Sequence, residues 1–152
     1  MSAYRRAQVV FAYTPVRGEA DVTPLVRRAL ARGKVVAFPR VAGHKLVFLR
    51  VNSLRELREG AFGIPEPASG GRQVPAAKAD LVIVPGVAFS ADGGRLGHGG
   101  GFYDRVLRGR RGVAVGAAFE FQVAESVPRG PRDASLDALV TEEKARIFGG
   151  SR

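Results

Sequence analysis

The sequence contains no cysteine, and this absence excludes several kinds of chemistry at once. Disulfides, thiolate metal sites and cysteine nucleophiles all need that side chain. The sequence also has no apolar run long enough to span a membrane. Its first residues, "MSAYRRAQVVFAY", lack the basic start, apolar stretch and small-residue cleavage site of a secretory signal. Together these absences favour a cytoplasmic protein.

Lysine is scarce, although the chain is strongly basic. The formal net charge is +10, yet only 4 of the 24 basic residues are lysine. Arginine in place of lysine often reflects genome composition or heat adaptation. The arginines are dispersed. The sequence lacks a basic run of five or more residues, which would indicate a polynucleotide-binding surface. We therefore expect neither a nucleic-acid partner nor a membrane partner, and keep a basic nucleic-acid-binding α/β module as a distant alternative.

What the sequence does contain is an alternation of predicted strands and helices. The length of 152 residues and the 45% apolar content suit one folded domain over residues 1–152. Helices are predicted after Thr23 as N-cap, in "FYDRVLRGR" and in "FQVAESVP". Residues 63–79 read as a loop. The predicted strands are "QVVFAY", "KVVAFPRV", "KLVFLRV", "DLVIVPG", "GVAVGAAF" and "DALVT", the last of them at 137–141. This order predicts a three-layer α/β/α sandwich with a mostly parallel sheet.

A glycine-rich stretch, "GGRLGHGGGFYDRVL", follows a strong predicted strand and opens a predicted helix. Ligands of open α/β sheets bind beyond the carboxyl ends of the strands. Glycines let a backbone wrap a phosphate, and a helix N-terminus attracts anions. The stretch fits neither the dinucleotide fingerprint nor a Walker A loop, because Phe-Tyr-Asp follows it. The glycines alone indicate a phosphate cradle and a flexible surface turn about equally.

The setting of this stretch resembles the 5-formyltetrahydrofolate cyclo-ligase family. The family pattern is a strand ending in Pro-Gly, followed by Arg-Leu-Gly-x-Gly-x-Gly-aromatic-Tyr-Asp. The sequence matches it at Pro85-Gly86 and from Arg95 through Asp104. "RGEADVTPLVRRALARGKVVAFPRV" and "GIPEP" extend the resemblance over nearly the whole chain.

The resemblance implies an ATP-dependent and Mg²⁺-dependent ring closure. The γ-phosphoryl group of ATP moves onto the formyl oxygen of 5-formyltetrahydrofolate, and N10 then attacks the activated carbon. The product is 5,10-methenyltetrahydrofolate, with ADP and phosphate released. The implied partners are therefore a reduced folate and ATP.

The resemblance also implies which residues form the site. Arg95 and Tyr103 are the implied catalytic residues, and Asp104 with Asp133 the implied magnesium ligands. Glu19, Phe102 and Tyr103 would contact the folate. The implied nucleotide-binding residues are Arg95, Leu96, Gly97, His98, Gly99, Gly100 and Gly101.

Several of these assignments have an alternative that involves no ligand. Glu19 is also readable as a solvated acid before a helix, and Asp133 as a turn residue. Phe102 and Tyr103 suit core packing at a helix start equally well. His98 fits a mobile loop better than a catalytic role.

The sequence departs from the family pattern at its start. Family members usually carry a basic N-terminal helix whose lysine and arginine reach the nucleotide and substrate, whereas here Arg5 and Arg6 stand just before the first predicted strand. Arg132 stands where the family commonly has histidine. Two hypotheses within the family therefore stay open. The chain is a working cyclo-ligase, or it is a weakly active or inactive member that binds folate or a phosphate compound.

Overall fold

The computed structural model describes residues 2–16, 18–97, 101–130 and 133–149. A seven-stranded sheet forms its centre, in the order β12-β11-β9-β6-β1-β2-β3. The five central strands are parallel, and the two edge strands are antiparallel to their neighbours. Its strands are β1 (Val9–Phe11), β2 (Val35–Ala42), β3 (Lys45–Val51), β6 (Leu81–Val84), β9 (Val113–Ala117), β11 (Ala138–Val140) and β12 (Ala145–Ile147).

Two smaller sheets flank the main one. One is an antiparallel pair, β4 (Leu57–Glu59) with β5 (Pro65–Pro67). The other has the order β10-β7-β8, from Val123–Ala124, Ala88–Ser90 and Arg95–Leu96. The described helices are α1 (Ser2–Arg6), α2 (Thr23–Ala31) and α3 (Phe102–Arg108).

The core occupies both faces of the main sheet because successive strand residues point to opposite sides. Val10, Phe38 and Ile83 face a cluster that also holds residues of α2 and Tyr4 of α1. Phe11 and Val82 face the other cluster, which holds residues of α3 and of the small sheet that contains β7. The predicted three-layer architecture with a mostly parallel sheet is therefore confirmed.

Helix α2 forms where the sequence predicts it, with one correction at its start. It begins at Thr23 itself, so Thr23 is not the N-cap; Val22 precedes the helix and makes no side-chain cap. Asp21 takes over part of that role, because its Oδ1 accepts a hydrogen bond from the Thr23 backbone N–H at 2.9 Å. Hydrogen bonding by the Thr23 side chain, and then by this backbone N–H, lowers the pKa of Asp21. Gly33, with φ of +77°, lets the chain leave the helix.

Three further predictions from the sequence need correction. "FQVAESVP" is not a helix: a single 3₁₀ turn at Glu120–Gln122 leads directly into β10. The strand at 137–141 is not the last one, since β12 follows it antiparallel. Residues 63–79 are not a loop throughout, because Pro65–Pro67 form β5 and pair with β4.

The amino ends of the strands hold α1 in place. Lys34, directly before β2, donates from Nζ to the backbone oxygens of Ala7 and Arg5, the latter at 3.2 Å. Asp80, directly before β6, accepts from the backbone N–H groups of Gln8 and Val9, each at 2.9 Å. Helix α1 therefore lies at the amino end of the sheet, on the face opposite α3.

Within the described ranges, no helix is both long enough and apolar enough to cross a membrane.

Candidate functional site

A cavity of about 750 Å³ opens at the carboxyl ends of β1, β2 and β6, beside the start of α3. Open α/β sheets bind their ligands at this end. The lining comes from segments far apart in the sequence. These are residues 13–16 and 19 after β1, 39–46 of the β2–β3 hairpin, 62–66 of the β4–β5 pair, residues 85, 95–97 and 101–104 around the glycine stretch, and residues 128 and 133.

The glycine stretch reaches the cavity from both of its described ends. Leu96 and Gly97 line the cavity on one side, and Gly101 lines it directly before α3. Gly101 has φ of +68°, and a Cβ built there would meet no atom within 4 Å. Its conformation, rather than lack of space, therefore calls for glycine. His98, Gly99 and Gly100 lie outside the described residues.

Arg95 is the basic side chain among the described lining residues. Its Nε donates to the Pro85 backbone oxygen at 2.7 Å. Its guanidinium lies 5.2 Å from the centre of the Tyr103 ring, in cation–π range. Burial lowers the pKa of Arg95, and Asp104 opposes that shift, so the group remains a cation. A Cβ at Gly97 would come within 2.8 Å of the guanidinium, so glycine there leaves Arg95 its position.

Tyr103 and Phe102 both line the cavity, and Tyr103 also belongs to the packed core. The Tyr103 ring meets the Phe48 ring edge to face, with centres 6.3 Å apart. Burial raises the pKa of Tyr103, so its hydroxyl stays protonated. Tyr103 thus packs against the core and also lines the cavity, while its predicted contact with folate stays a prediction.

Asp104 and Asp133 come together at the cavity although 28 residues separate them in the chain. Asp104 Oδ1 accepts from the Ala134 backbone N–H at 3.3 Å, which joins α3 to the segment holding Asp133. Asp133 Oδ2 accepts from the Gly130 backbone N–H at 2.7 Å. Both carboxylates also act electrostatically on Arg95.

This pair of carboxylates fits a magnesium ion. Mg²⁺ is commonly held by one or two carboxylates, with water and phosphate oxygens completing its shell. Across the part of the chain that the structure describes, no cluster of three or more acidic, histidine or cysteine side chains could enclose a metal. An ion here would therefore take most of its ligands from water and phosphate.

Glu19 also lines the cavity, in a turn that is held by its own hydrogen bonds, and its charge acts on Arg95 as well. Its Oε1 accepts from the Val16 backbone N–H at 2.9 Å, and its own N–H donates to the Val16 oxygen. The Tyr13 hydroxyl donates to the Ala20 oxygen at 2.6 Å. The pKa of Tyr13 is raised, chiefly by burial and then by Glu19, so this donor stays protonated.

Sequence reasoning missed one wall of the cavity. Phe62, Ile64, Pro65 and Glu66, all in or beside the β4–β5 pair, line it. The sequence assigned most of this segment to a loop, although "GIPEP" was part of the family resemblance. Phe62 is 85% exposed and has φ of +60°, an uncommon conformation for an aromatic residue.

The charged groups of the described lining are mostly acidic. Glu19, Glu66, Asp104 and Asp133 face the cavity, against Arg95 alone. Arg5 and Arg6 do not line it, because α1 lies at the other end of the sheet. A phosphate ligand here would need Arg95, backbone N–H groups and a bound cation to balance its charge.

Comparison with known proteins gives one consistent match. The model of the 5-formyltetrahydrofolate cyclo-ligase family matches residues 1–142. The 5-formyltetrahydrofolate cyclo-ligase of Escherichia coli K12 is 36% identical over 145 residues, covering 91% of this chain and 80% of that protein. The Haemophilus influenzae cyclo-ligase is 34% identical and covers 90% and 77%.

Solved structures show the same relationship. The NMR structure of Aquifex aeolicus 5,10-methenyltetrahydrofolate synthetase superposes with a TM-score of 0.82 at 42% identity, covering 98% of this chain and 75% of that one. The Mycoplasma pneumoniae synthetase, at 22% identity and a TM-score of 0.72, shares the fold.

Proposed function

Because the chain belongs to the 5-formyltetrahydrofolate cyclo-ligase family, we propose that it converts 5-formyltetrahydrofolate into 5,10-methenyltetrahydrofolate, with ATP and Mg²⁺. One observation carries the proposal. The glycine stretch, Arg95, the Asp104–Asp133 pair and Glu19 all meet at one cavity. The proposed location is the cytoplasm, and the proposed unit is one domain over the whole chain.

The chemistry needs activation of a poor leaving group. The formyl oxygen attacks the γ-phosphorus, and the bond from that phosphorus to the ADP oxygen breaks. N10 then attacks the activated formyl carbon. This attack closes the five-membered ring, N10 gives up its proton to solvent, and the C–O bond then breaks with release of phosphate. Such transfers depend on positioning and charge stabilisation more than on covalent catalysis by the protein.

The nucleotide side of the cavity would be the glycine stretch with Arg95. Backbone N–H groups of the loop would donate to phosphate oxygens. Arg95, fixed by Pro85, would place a cation at the transferring phosphoryl group. Asp104 and Asp133 would hold Mg²⁺, which when bound neutralises phosphate charge.

The folate side would be the Glu19 turn with the aromatic residues. A carboxylate accepts two hydrogen bonds side by side, which suits the amino and ring N–H groups of a pterin. Tyr103, protonated and packed beneath Arg95, would hold the substrate near the phosphoryl group. Phe102 would supply apolar contact.

The test is an absorbance assay for methenyltetrahydrofolate with the purified 152-residue chain, ATP and Mg²⁺. Product should form only when both ATP and Mg²⁺ are present. Product without ATP, or no product with a chain that binds ATP and folate normally, would overturn the proposal.

A slow or inactive member of the family is the second candidate. The observation favouring it is the charge of the described lining, where Arg95 faces four carboxylates. Each charge-assisted phosphate contact contributes roughly 1.5–3 kcal/mol. Loss of two such phosphate contacts would weaken nucleotide binding by about two to four powers of ten. Calorimetry with ATP and Mg²⁺ separates the candidates: micromolar affinity favours the active enzyme, and millimolar affinity favours the second.

A further inference from the structure

The β4–β5 pair and the turn between them, residues 57–67, form a hairpin that carries one wall of the cavity. It lies outside the main sheet, so its position depends on contacts with the rest of the fold, among them the packing of Leu57 against the core. The two strands pair with each other at only three positions. Such a short isolated hairpin is marginally stable by itself. Whatever fixes it to the main sheet therefore also fixes the wall.

An ion pair between Arg40 and Glu66 makes this connection. Arg40, on β2, approaches Glu66 Oε1 with its Nη1 at 3.1 Å and also donates to the Pro67 oxygen at 3.0 Å. The Glu66 side chain is only 9% exposed and that of Arg40 31%. A pair with one buried partner is screened less by water and salt than a surface pair. One guanidinium thus holds both the side chain and the backbone of β5.

Gly60 makes room for this arrangement. A Cβ built at Gly60 would lie 2.1 Å from both Cγ and Cδ of Glu66. Gly60 is not among the residues with positive φ, so alanine would fit its backbone conformation but not the space. The buried position of Glu66 therefore requires the missing side chain.

A second contact ties the hairpin to the turn that holds Glu19. The Thr14 hydroxyl donates to the Pro65 oxygen at 3.1 Å. Thr14 and Glu19 belong to the same cavity-lining segment after β1. The hairpin is thereby linked to the side of the cavity that we assign to folate, rather than to the glycine stretch.

We propose that Arg40 and Glu66 are positioning residues for the folate substrate. They act as a latch that holds the 57–67 hairpin, and with it Phe62 and Ile64, in place as the folate wall. This inference rests on the proposed function for its ligand, but the latch is a property of the hairpin itself. Weakening the latch should therefore affect folate binding and leave ATP binding almost unchanged.

Steady-state kinetics test this division. Arg40→Gln and Glu66→Gln should each raise KM for 5-formyltetrahydrofolate about tenfold, as loss of one partly buried ionic contact would. KM for ATP should change less than twofold. Arg50→Gln and Glu125→Gln are matched controls at exposed positions outside the hairpin and the cavity lining, and both constants should stay at wild-type values.

Gly60→Ala tests the latch without changing any charge. The methyl group should displace Glu66 and reproduce the folate KM of Glu66→Gln. In a Glu66→Ala background the space is empty, so Gly60→Ala should add less than a twofold further change. Equal effects of Gly60→Ala in both backgrounds would overturn the role of Glu66.

Hydrogen exchange gives a readout that needs no catalysis. Amides of residues 57–67 should exchange at least about tenfold faster in Arg40→Gln and Glu66→Gln, while those of β9 stay at the wild-type rate. Unchanged exchange in the hairpin would overturn the latch even if the enzyme is active. Faster exchange with no cyclo-ligase activity in the wild type would instead overturn the proposed function and leave the latch standing. Faster exchange with a tenfold rise in KM for both 5-formyltetrahydrofolate and ATP would overturn the assignment of the hairpin wall to folate.

Discussion

The two ends of the main sheet use charged side chains in different ways. At the amino end, Asp80 accepts two backbone N–H groups and Lys34 donates to two backbone oxygens. These charges complete the hydrogen bonding of the fold. At the carboxyl end, Arg95 and Asp104 are each fixed by a backbone group while they line a cavity. The comparison teaches that placement relative to the strands, rather than the net charge of +10, separates charges that complete the fold from charges that line the candidate site.

The largest effect should come from the carboxylate pair at the carboxyl end. Asp104→Asn and Asp133→Asn should each lower activity at fixed Mg²⁺ by about 100- to 1000-fold, as losing one preorganised electrostatic contact does. The midpoint of a magnesium titration should also rise. If both midpoints stay at the wild-type value, the magnesium site lies elsewhere.

Arg95 should have the next largest effect. Arg95→Ala should reduce kcat/KM about 10- to 100-fold, because a charge-assisted contact contributes roughly 1.5–3 kcal/mol. Circular dichroism should show an intact fold. Gly97→Ala is a second variant with the same target, since its methyl group would displace the guanidinium. Wild-type kinetics in both variants would contradict a role for Arg95.

A substitution at Gly101 tests whether the glycine stretch binds the nucleotide. At this position a side chain has space, and only its backbone conformation is unfavourable. Valine there would need φ near +68° in open space. Left-handed conformations cost a side-chain-bearing residue about 1–2 kcal/mol. We expect Gly101→Val to weaken ATP binding roughly 5- to 30-fold by calorimetry. Unchanged ATP affinity in a folded variant would exclude this end of the loop from the nucleotide site.

Asp80→Ala should separate the two ends most cleanly, because it should affect stability alone. Removal of the carboxylate takes the acceptor from two backbone N–H groups at the start of β1. Urea unfolding should show a loss of about 1–2 kcal/mol. Both KM values, measured well below the melting temperature, should remain at wild-type level. A selective rise in KM for ATP would show that the amino end contributes to the site.

The smallest effect should come from the arginines of α1. Arg5→Ala and Arg6→Ala should change ATP affinity less than twofold, since α1 lies away from the cavity. A tenfold loss of ATP affinity in either variant would show that the amino end of the sheet also contributes to nucleotide binding.

The local sequence pattern correctly predicted strands and helices whose formation depends mainly on neighbouring residues. "KLVFLRV" became β3 with the predicted bounds, and the helix after the glycine stretch formed as α3. Ser53 and Glu56 of "SLRELREG" form a capping box, the usual start of a helix, but only one 3₁₀ turn follows it. The next residues pair as β4 with β5, a tertiary preference that the local pattern does not contain.

Tertiary contacts also explain two errors of the sequence analysis, the helix predicted in "FQVAESVP" and the missed hairpin wall of the cavity. Gln122 donates to the backbone oxygens of Gly86 and Val87, and Val123 pairs with Phe89. These distant partners hold an extended segment where periodicity suggested a helix. The hairpin wall was missed for the same reason, because the Thr14–Pro65 contact spans 51 residues. The predicted site residues either belong to the motif from Arg95 to Asp104 or, like Glu19 and Asp133, match a family position elsewhere. Their roles stay predictions.

The cavity draws its walls from segments that span residues 13 to 133. No segment shorter than residues 13–133 contains the whole cavity, so ligand affinity and cooperative unfolding are thermodynamically linked. A ligand that binds only the complete cavity stabilises the whole fold by RT ln(1 + [L]/Kd), about 2.7 kcal/mol at 100 times Kd. The concentration of the ligand in the cell would then set how long each molecule survives proteolysis, and the protein would persist where its substrate is abundant.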